Sequence, residues 1–183
     1  MSEILSPLKA PYPASISETL KKYPDIDGYI LALFRVFANS ERFLSYSGPK
    51  NLLDKNSPLS LREREIIILR CCAQLDCEYE WGVHVVGFAV KADLNEDQIN
   101  SLYLGSGLDD CWPEKEAELI SLVDQLIHKA RINYDENPNF SQHWNKDEQL
   151  EIFALVANYH LVAFVANSSK LELEPFATRF PKP

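Results

Sequence analysis

The run Asp76-Cys77-Glu78-Tyr79-Glu80-Trp81-Gly82-Val83-His84 carries a thiol, a carboxylate and an imidazole at helical spacing, and Ser60-Leu61-Arg62-Glu63-Arg64-Glu65 stands upstream of it. An α-helix repeats every 3.6 residues, so Cys77, Glu80, Trp81, His84 and Phe88 fall on one stripe. A stripe that includes Trp81 and Phe88 faces a core. Burying three ionisable groups there costs free energy unless they pair or do chemistry. An imidazole flanked by carboxylates suits proton transfer. A cysteine at a helix start has its thiolate favoured by the helix dipole, which suits redox chemistry.

The elements that must position these groups are legible from their caps. Ser60 with Glu63 forms a capping box and opens a helix running to about Ala73. Gln74-Leu75 is a tight link, and Asp76 is the expected cap of a second helix running to about Ala92. A short link makes the two helices antiparallel neighbours. Counting outward from position 75 sets Glu65 opposite His84 and Arg70 opposite Glu80, so Glu65, Glu80 and His84 converge as a proton-transfer set. Each residue also has a plainer reading. Glu80 and His84 at i, i+4 make a surface pair worth roughly 0.2–0.5 kcal/mol. Glu65 in a first turn complements a helix dipole. Cys77 serves as a small buried hydrophobe. Trp81 and Phe88 fit a core better than a ligand platform. Tyr159 and His160, which interrupt an apolar run, are either satisfied core polar groups or pocket lining. Cys71, Cys72 and Cys111 read as inert, and His128 and His143 are assigned nothing.

The remaining chain reads as helices and connections. Residues 1–25, with Pro7, Pro11, Pro13 and Pro24, form an extended N-terminal arm with a short helical turn at Ser17–Lys22. Tyr29, Leu33, Val36 and Phe37 stripe a first helix. Phe43, Leu44, Leu52 and Leu53 mark a second helical stretch, bent or split near Gly48-Pro49. Asn95 with Gln98 caps a helix through Leu102, and Pro113 opens one through about Arg131. A loop spans Asn133–His143, Asn145 with Glu148 caps a long helix to about Asn167, and residues 171–183 form an irregular tail. No segment alternates as a strand does. The fold class is therefore all-α, a single compact helical domain over residues 26–170.

Composition narrows the function. The 183 residues suit one domain, with 46% hydrophobic and 25% charged residues. A net charge of −9 disfavours nucleic acid and an anionic membrane surface as partners. No signal peptide pattern opens the chain, and the apolar run Ile152–Ala166 is broken by Asn158, Tyr159 and His160. Four cysteines are too few for a disulfide scaffold, which points to a reducing cytoplasm. No histidine pair has metal-ligand spacing, H-E-x-x-H is absent, and no glycine-rich phosphate loop or serine nucleophile elbow occurs, so neither a metal nor another cofactor is expected.

The runs Leu61–Arg70, Cys77–His84 and Lys91–Ile99 resemble the carboxymuconolactone decarboxylase family, which includes the alkylhydroperoxidase D-like proteins. Arg35–Ser40 and Gln149–Asn167 are similar to its flanks, and the likeness spans roughly residues 26–170. It implies an all-helical fold assembled as a homo-oligomer, a trimer or hexamer. In the peroxidase branch a glutamate precedes C-x-x-C and a histidine follows. Mapped here, Glu65 takes the glutamate position, Cys77 the first cysteine, Glu80 the second cysteine and His84 the histidine. Glutamate cannot close a disulfide. Another departure is Asp93 where the pattern has glycine, a left-handed cap position that Asp tolerates.

Two enzymatic readings follow. The first is cofactor-free general acid/base chemistry, decarboxylation or a related lyase or isomerase reaction, on a small acidic organic substrate. His84 shuttles the proton, Glu65 orients it, Glu80 acts as second acid/base, Arg35 or Arg70 holds a substrate carboxylate, and Trp81, Tyr159 and His160 line the pocket. The alternative is a peroxiredoxin-type antioxidant oxidoreductase using Cys77, with Cys71 or Cys72 as resolving thiol. A non-catalytic oligomeric protein is the third reading.

Overall fold

A computed structural model describes residues 5–46 and 52–182. In chain order the elements are α1 (Ala14–Leu20), β1 (Asp25–Ile26), β2 (Tyr29–Ile30), α2 (Ala32–Phe37), α3 (Glu41–Tyr46), α4 (Leu61–Gln74), α5 (Glu78–His84), a π-helical turn (Val85–Ala89), α6 (Glu96–Leu104), α7 (Glu114–Lys129), α8 (Phe140–His143) and α9 (Lys146–Ser168).

Helix α4 is the axis of the molecule. Every residue from Arg64 to Cys72 is buried, because α5, α6, α7 and α9 all pack against it. A helix buried on all sides sits inside a bundle, and its buried Arg64, Glu65 and Arg70 must find partners there. Its start is fixed by the expected capping box, in which Ser60 Oγ accepts from the Glu63 N–H and Glu63 reaches back to the Ser60 N–H. Arg62 ties that end to α7 through both oxygens of Glu116 and also donates to the carbonyls of Ala92 and Asp93. The boxes Asn95/Gln98 and Asn145/Glu148 open α6 and α9 as expected.

Four expectations are corrected. Tyr29 does not begin a helix: Asp25–Ile26 and Tyr29–Ile30 form a two-residue antiparallel hairpin. Asp27 and Gly28 form its turn, with φ of 51° and 82°. An Asp-Gly pair between apolar residues is the usual signal for such a turn. Second, Asp76 is not the cap of α5. It sits in left-handed conformation at φ 52° inside the link, and Cys77 is the N-cap. Third, the signature helix does not run unbroken to Ala92; it widens into the π turn directly after His84. Fourth, α9 is long and apolar enough by length and composition to cross a membrane, despite Asn158 and His160. The expected bend near Gly48-Pro49 lies outside the described residues. Asp93 adopts φ 56°, as the left-handed cap position requires.

The tail after α9 is irregular but packed. Glu174 is buried and accepts hydrogen bonds from the Ala32 N–H and the hydroxyls of Tyr29 and Tyr79. It thereby supplies an acceptor to the first turn of α2, where helix N–H groups lack partners. Phe180 stacks on Tyr103 and meets Trp81, and Gly82 lets the Ala177–Thr178 backbone lie against α5.

Candidate active site

The short link places α5 against α4 and turns Glu65 toward His84. His84 Nδ1 donates to Glu65 Oε2 at 2.8 Å, and both side chains are buried. On the other side of the ring, Nε2 lies 3.0 Å from the Tyr159 hydroxyl on α9 and 3.4 Å from Glu80 Oε1 one turn back on α5. Glu80 Oε2 is buried with no hydrogen-bond partner among the described residues. The Phe88 ring, one turn past His84 in the π turn, stands 5.2 Å from the imidazole, and Tyr159 meets it edge-on at 5.4 Å.

The electrostatics follow from this geometry. Burial alone pushes the His84 pKa down, but the Glu65 and Glu80 carboxylates outweigh it and raise it from 6.5 to about 10. At neutral pH the ring is an imidazolium held between two carboxylates. Burial, with Glu80 and Glu65 nearby, pushes the Tyr159 phenol well above 10, so it stays a neutral hydrogen-bonding group. The arrangement holds a proton on Nε2 beside a carboxylate oxygen with spare acceptor capacity. That is a competent pair for taking a proton from one atom and delivering it to another.

The structure thus brings Glu65, Glu80, His84 and Tyr159 into one hydrogen-bonded cluster. It places the other sequence-read residues elsewhere. Arg70 does not meet Glu80. It makes a two-pronged ion pair with Asp124 on α7 (2.7 and 2.8 Å) and donates to the Leu102 and Gly105 carbonyls. Five residues along a helix is about 140° of rotation, so Arg70 and Glu65 cannot face the same neighbour. Arg35 donates to the Ile30 carbonyl and the Tyr29 hydroxyl beside the hairpin. Trp81 is fully buried between Tyr103 and Phe180 and serves the core. His160 is half-buried, bonded to the Val156 carbonyl with its ring against Phe164.

Cys77 is fully buried, and its N–H donates to the Cys72 carbonyl at 2.8 Å. Burial, with the Cys77 thiol nearby, pushes the Cys72 thiol well above its ordinary value. Among the described residues no three His, Cys, Asp or Glu side chains are grouped to hold a metal ion. Hollows of about 630, 740 and 760 Å³ lie elsewhere on the surface, and none is lined by the Glu65–His84–Glu80 cluster. All three groups are buried, Glu80 least, at 7% exposed against 4% for His84 and 2% for Glu65.

Two contributors carried weaker sequence signals. Tyr159 read only as pocket lining or core, because a contact across the bundle leaves no local pattern. The π turn that aims Phe88 at the imidazole has no spacing signature at all, though such turns recur at functional sites.

Comparison with known proteins agrees with this architecture. No curated protein matches the chain. A solved structure titled as the apo form of the debrominase Bmp8 superposes with a TM-score of 0.74 at 12% identity, covering 96% of this chain and 94% of that one. At that identity the likeness is one of fold. The model of the Carboxymuconolactone decarboxylase family matches residues 48–123, the stretch that holds Glu65, Cys77, Glu80 and His84. Over residues 48–123 the chain therefore resembles the carboxymuconolactone decarboxylase family, and over nearly its whole length it shares the fold of that solved structure.

Proposed function

We propose that the protein performs cofactor-free general acid/base chemistry on a small acidic organic substrate, as a decarboxylase-like lyase or a related isomerase. One observation carries the reading: a buried imidazolium shares its Nε2 side with a carboxylate whose second oxygen has no partner. A buried carboxylate oxygen with no donor costs stability, on the order of 1–3 kcal/mol or more. Such a cost recurs where a group is kept free for a reactant. In this reading Glu80 takes or gives the substrate proton, His84 exchanges it through Nε2, and Glu65 fixes the ring through Nδ1. Tyr159 holds the imidazole through its hydroxyl at Nε2. Arg35 and Arg70 are engaged elsewhere, so neither holds a substrate carboxylate beside His84; the cations there are the His84 imidazolium and Lys91, which lies over the Phe88 ring.

The peroxidase reading has less support. A reactive cysteine needs thiolate character and access, and Cys77 and Cys72 are buried with the Cys72 thiol pushed up.

A panel of small lactones and β-keto acids, assayed by NMR for isomerisation as well as for carbon dioxide release, tests the proposal. The wild type is expected to turn over at least one member and His84→Gln none, with the variant's circular dichroism unchanged. No turnover of any member, or equal turnover by the variant, would overturn it.

A further inference from the structure

Away from the His84 cluster, a hollow of about 630 Å³ runs along α7. One wall is α7 itself, which presents Glu114 and Glu118 one turn apart. The link from α6 to α7, with Gly107, and the link from α7 to α8, with Asn137, form the others. The first link is laid directly on the helix. A Cβ on Gly107 would collide with the Ala117 carbonyl, so glycine is what lets the backbone pass there.

Two buried acceptors in these walls are left without a donor. The Glu118 side chain is only 10% exposed, and its Oε2 accepts from His143 Nδ1 at 2.6 Å. Its Oε1 has no partner among the described residues. Asn137 is 2% exposed and donates through Nδ2 to the Asn133 carbonyl at 2.7 Å. That bond fixes which amide atom is nitrogen, because a carbonyl can only accept. The remaining amide oxygen has no donor. Acceptors taken out of water unpaired are costly, and two of them in the walls of one hollow suit a ligand that donates.

The charges say which kind. Asp124 is neutralised by Arg70, and Glu136 lies 3.9 Å from Lys129. Glu114 and Glu118 pair with no Lys or Arg among the described residues. An anion is therefore repelled and a cation drawn in. The carboxylates from Glu114 to Asp124 are strung along about 15 Å of helix. Among the described residues no three His, Cys, Asp or Glu side chains gather around one point as a metal ion needs. Between the charges the lining is aliphatic, with Leu108, Ala117 and Pro138, and no Phe, Tyr or Trp lines the hollow. Aromatic faces are what bind bulky quaternary ammonium groups. Methylene stems flanked by ammonium heads fit this lining instead.

The geometry points to a binding site for a linear aliphatic polyamine laid along α7. One ammonium donates to Glu118 Oε1, Asn137 Oδ1 takes an N–H from the same ligand, and the next ammonium stands at Glu114. The carboxylates one turn apart on a helix match nitrogens joined by a short methylene chain, with about 5–6 Å between the Cβ atoms. The site is separate from the His84 cluster and does not depend on the reaction proposed there.

Titration calorimetry of the full chain with spermidine should give one site per chain with a Kd below about 1 mM. At about one hundred times that Kd, spermidine should raise Tm by about 5–10 °C. n-Butylamine, with one ammonium, should bind at least tenfold more weakly. Glu118→Gln should weaken spermidine at least tenfold, while Asp110→Asn, an exposed acid outside the hollow, should leave it unchanged. The comparison of the two amines on the wild type decides the matter even where Glu118→Gln fails to fold. Absence of binding at about 5 mM spermidine overturns the inference. It is also overturned by n-butylamine binding as tightly, by displacement of spermidine with equimolar calcium chloride, or by a folded Glu118→Gln that binds like the wild type. Equal weakening by Asp110→Asn would reduce the effect to general attraction by a chain of net charge −9 and overturn it too.

Discussion

Replacing Glu65 by Gln keeps the shape of the side chain and removes one of the two charges that hold the His84 proton. In the folded protein His84 titrates at about 10 against 6.5 for the free side chain. The difference corresponds to up to about 5 kcal/mol. The folded-state pKa is raised, so this stabilisation is complete below pH 6.5 and is lost as the pH rises through about 10. Glu65 is the leading cause of the elevation, ahead of Glu80. An opposite charge at this range moves a pKa by about 1–3 pH units. His84 in Glu65→Gln should therefore titrate about 1–3 pH units lower. Breaking one partner out of a buried pair costs about 3–5 kcal/mol. At about 2–4 °C per kcal/mol for a domain of this size, Tm at pH 7 should fall by about 6–20 °C. Cys71, Cys72 and Tyr159 also have raised pKa values and weaken the fold at alkaline pH, and Glu65 contributes to the Tyr159 shift, so the His84 signal itself, not Tm at alkaline pH, isolates His84. The assay is the His84 Cε1–Hε1 NMR signal followed from pH 5 to about 10.5, with Tm at each pH. A wild-type His84 titrating near 6.5, or one that Glu65→Gln leaves unmoved, would refute the reasoning.

Three other outcomes follow from the same geometry. Glu80→Gln removes a carboxylate with one unpartnered oxygen that also helps hold the His84 proton, so His84 should titrate lower, turnover should be lost, and Tm at pH 7 by calorimetry should fall by less than in Glu65→Gln. Gly82→Ala places a methyl onto the Thr178 carbonyl and Ala177, and should cost about 1–3 kcal/mol and expose the tail to limited proteolysis at a faster rate. Glu174→Ala strips acceptors from two tyrosine hydroxyls and the Ala32 N–H; it should lower stability in urea melts by about 2–4 kcal/mol with residues 171–182 gaining amide exchange.

What the sequence revealed was local, and what it hid was rotational or long-range. The three capping boxes are patterns of four residues, and each sits where the spacing places it. The approach of Glu65 to His84 needs only a tight link and equal counting on either side, so it too was legible. The same counting failed for Arg70 because it ignored rotation: Arg70 faces α7 and Asp124, on the other side of α4 from Glu65. The Asp27-Gly28 turn was written in the chain but overshadowed by the apolar spacing that follows. Tyr159 against His84, and Glu174 against Tyr79 and Ala32, join residues 75, 95 and 142 positions apart, and no local pattern encodes such contacts.

The claim that His84 and Glu80 move a substrate proton is tested most directly by hydrogen–deuterium exchange in D₂O. The readout is exchange at the acidic carbon of whichever panel compound the wild type turns over, followed by NMR. Wild-type protein should catalyse the exchange, and Glu80→Gln should slow it by about 10²-fold or more. Exchange by Glu80→Gln at the wild-type rate would contradict the account.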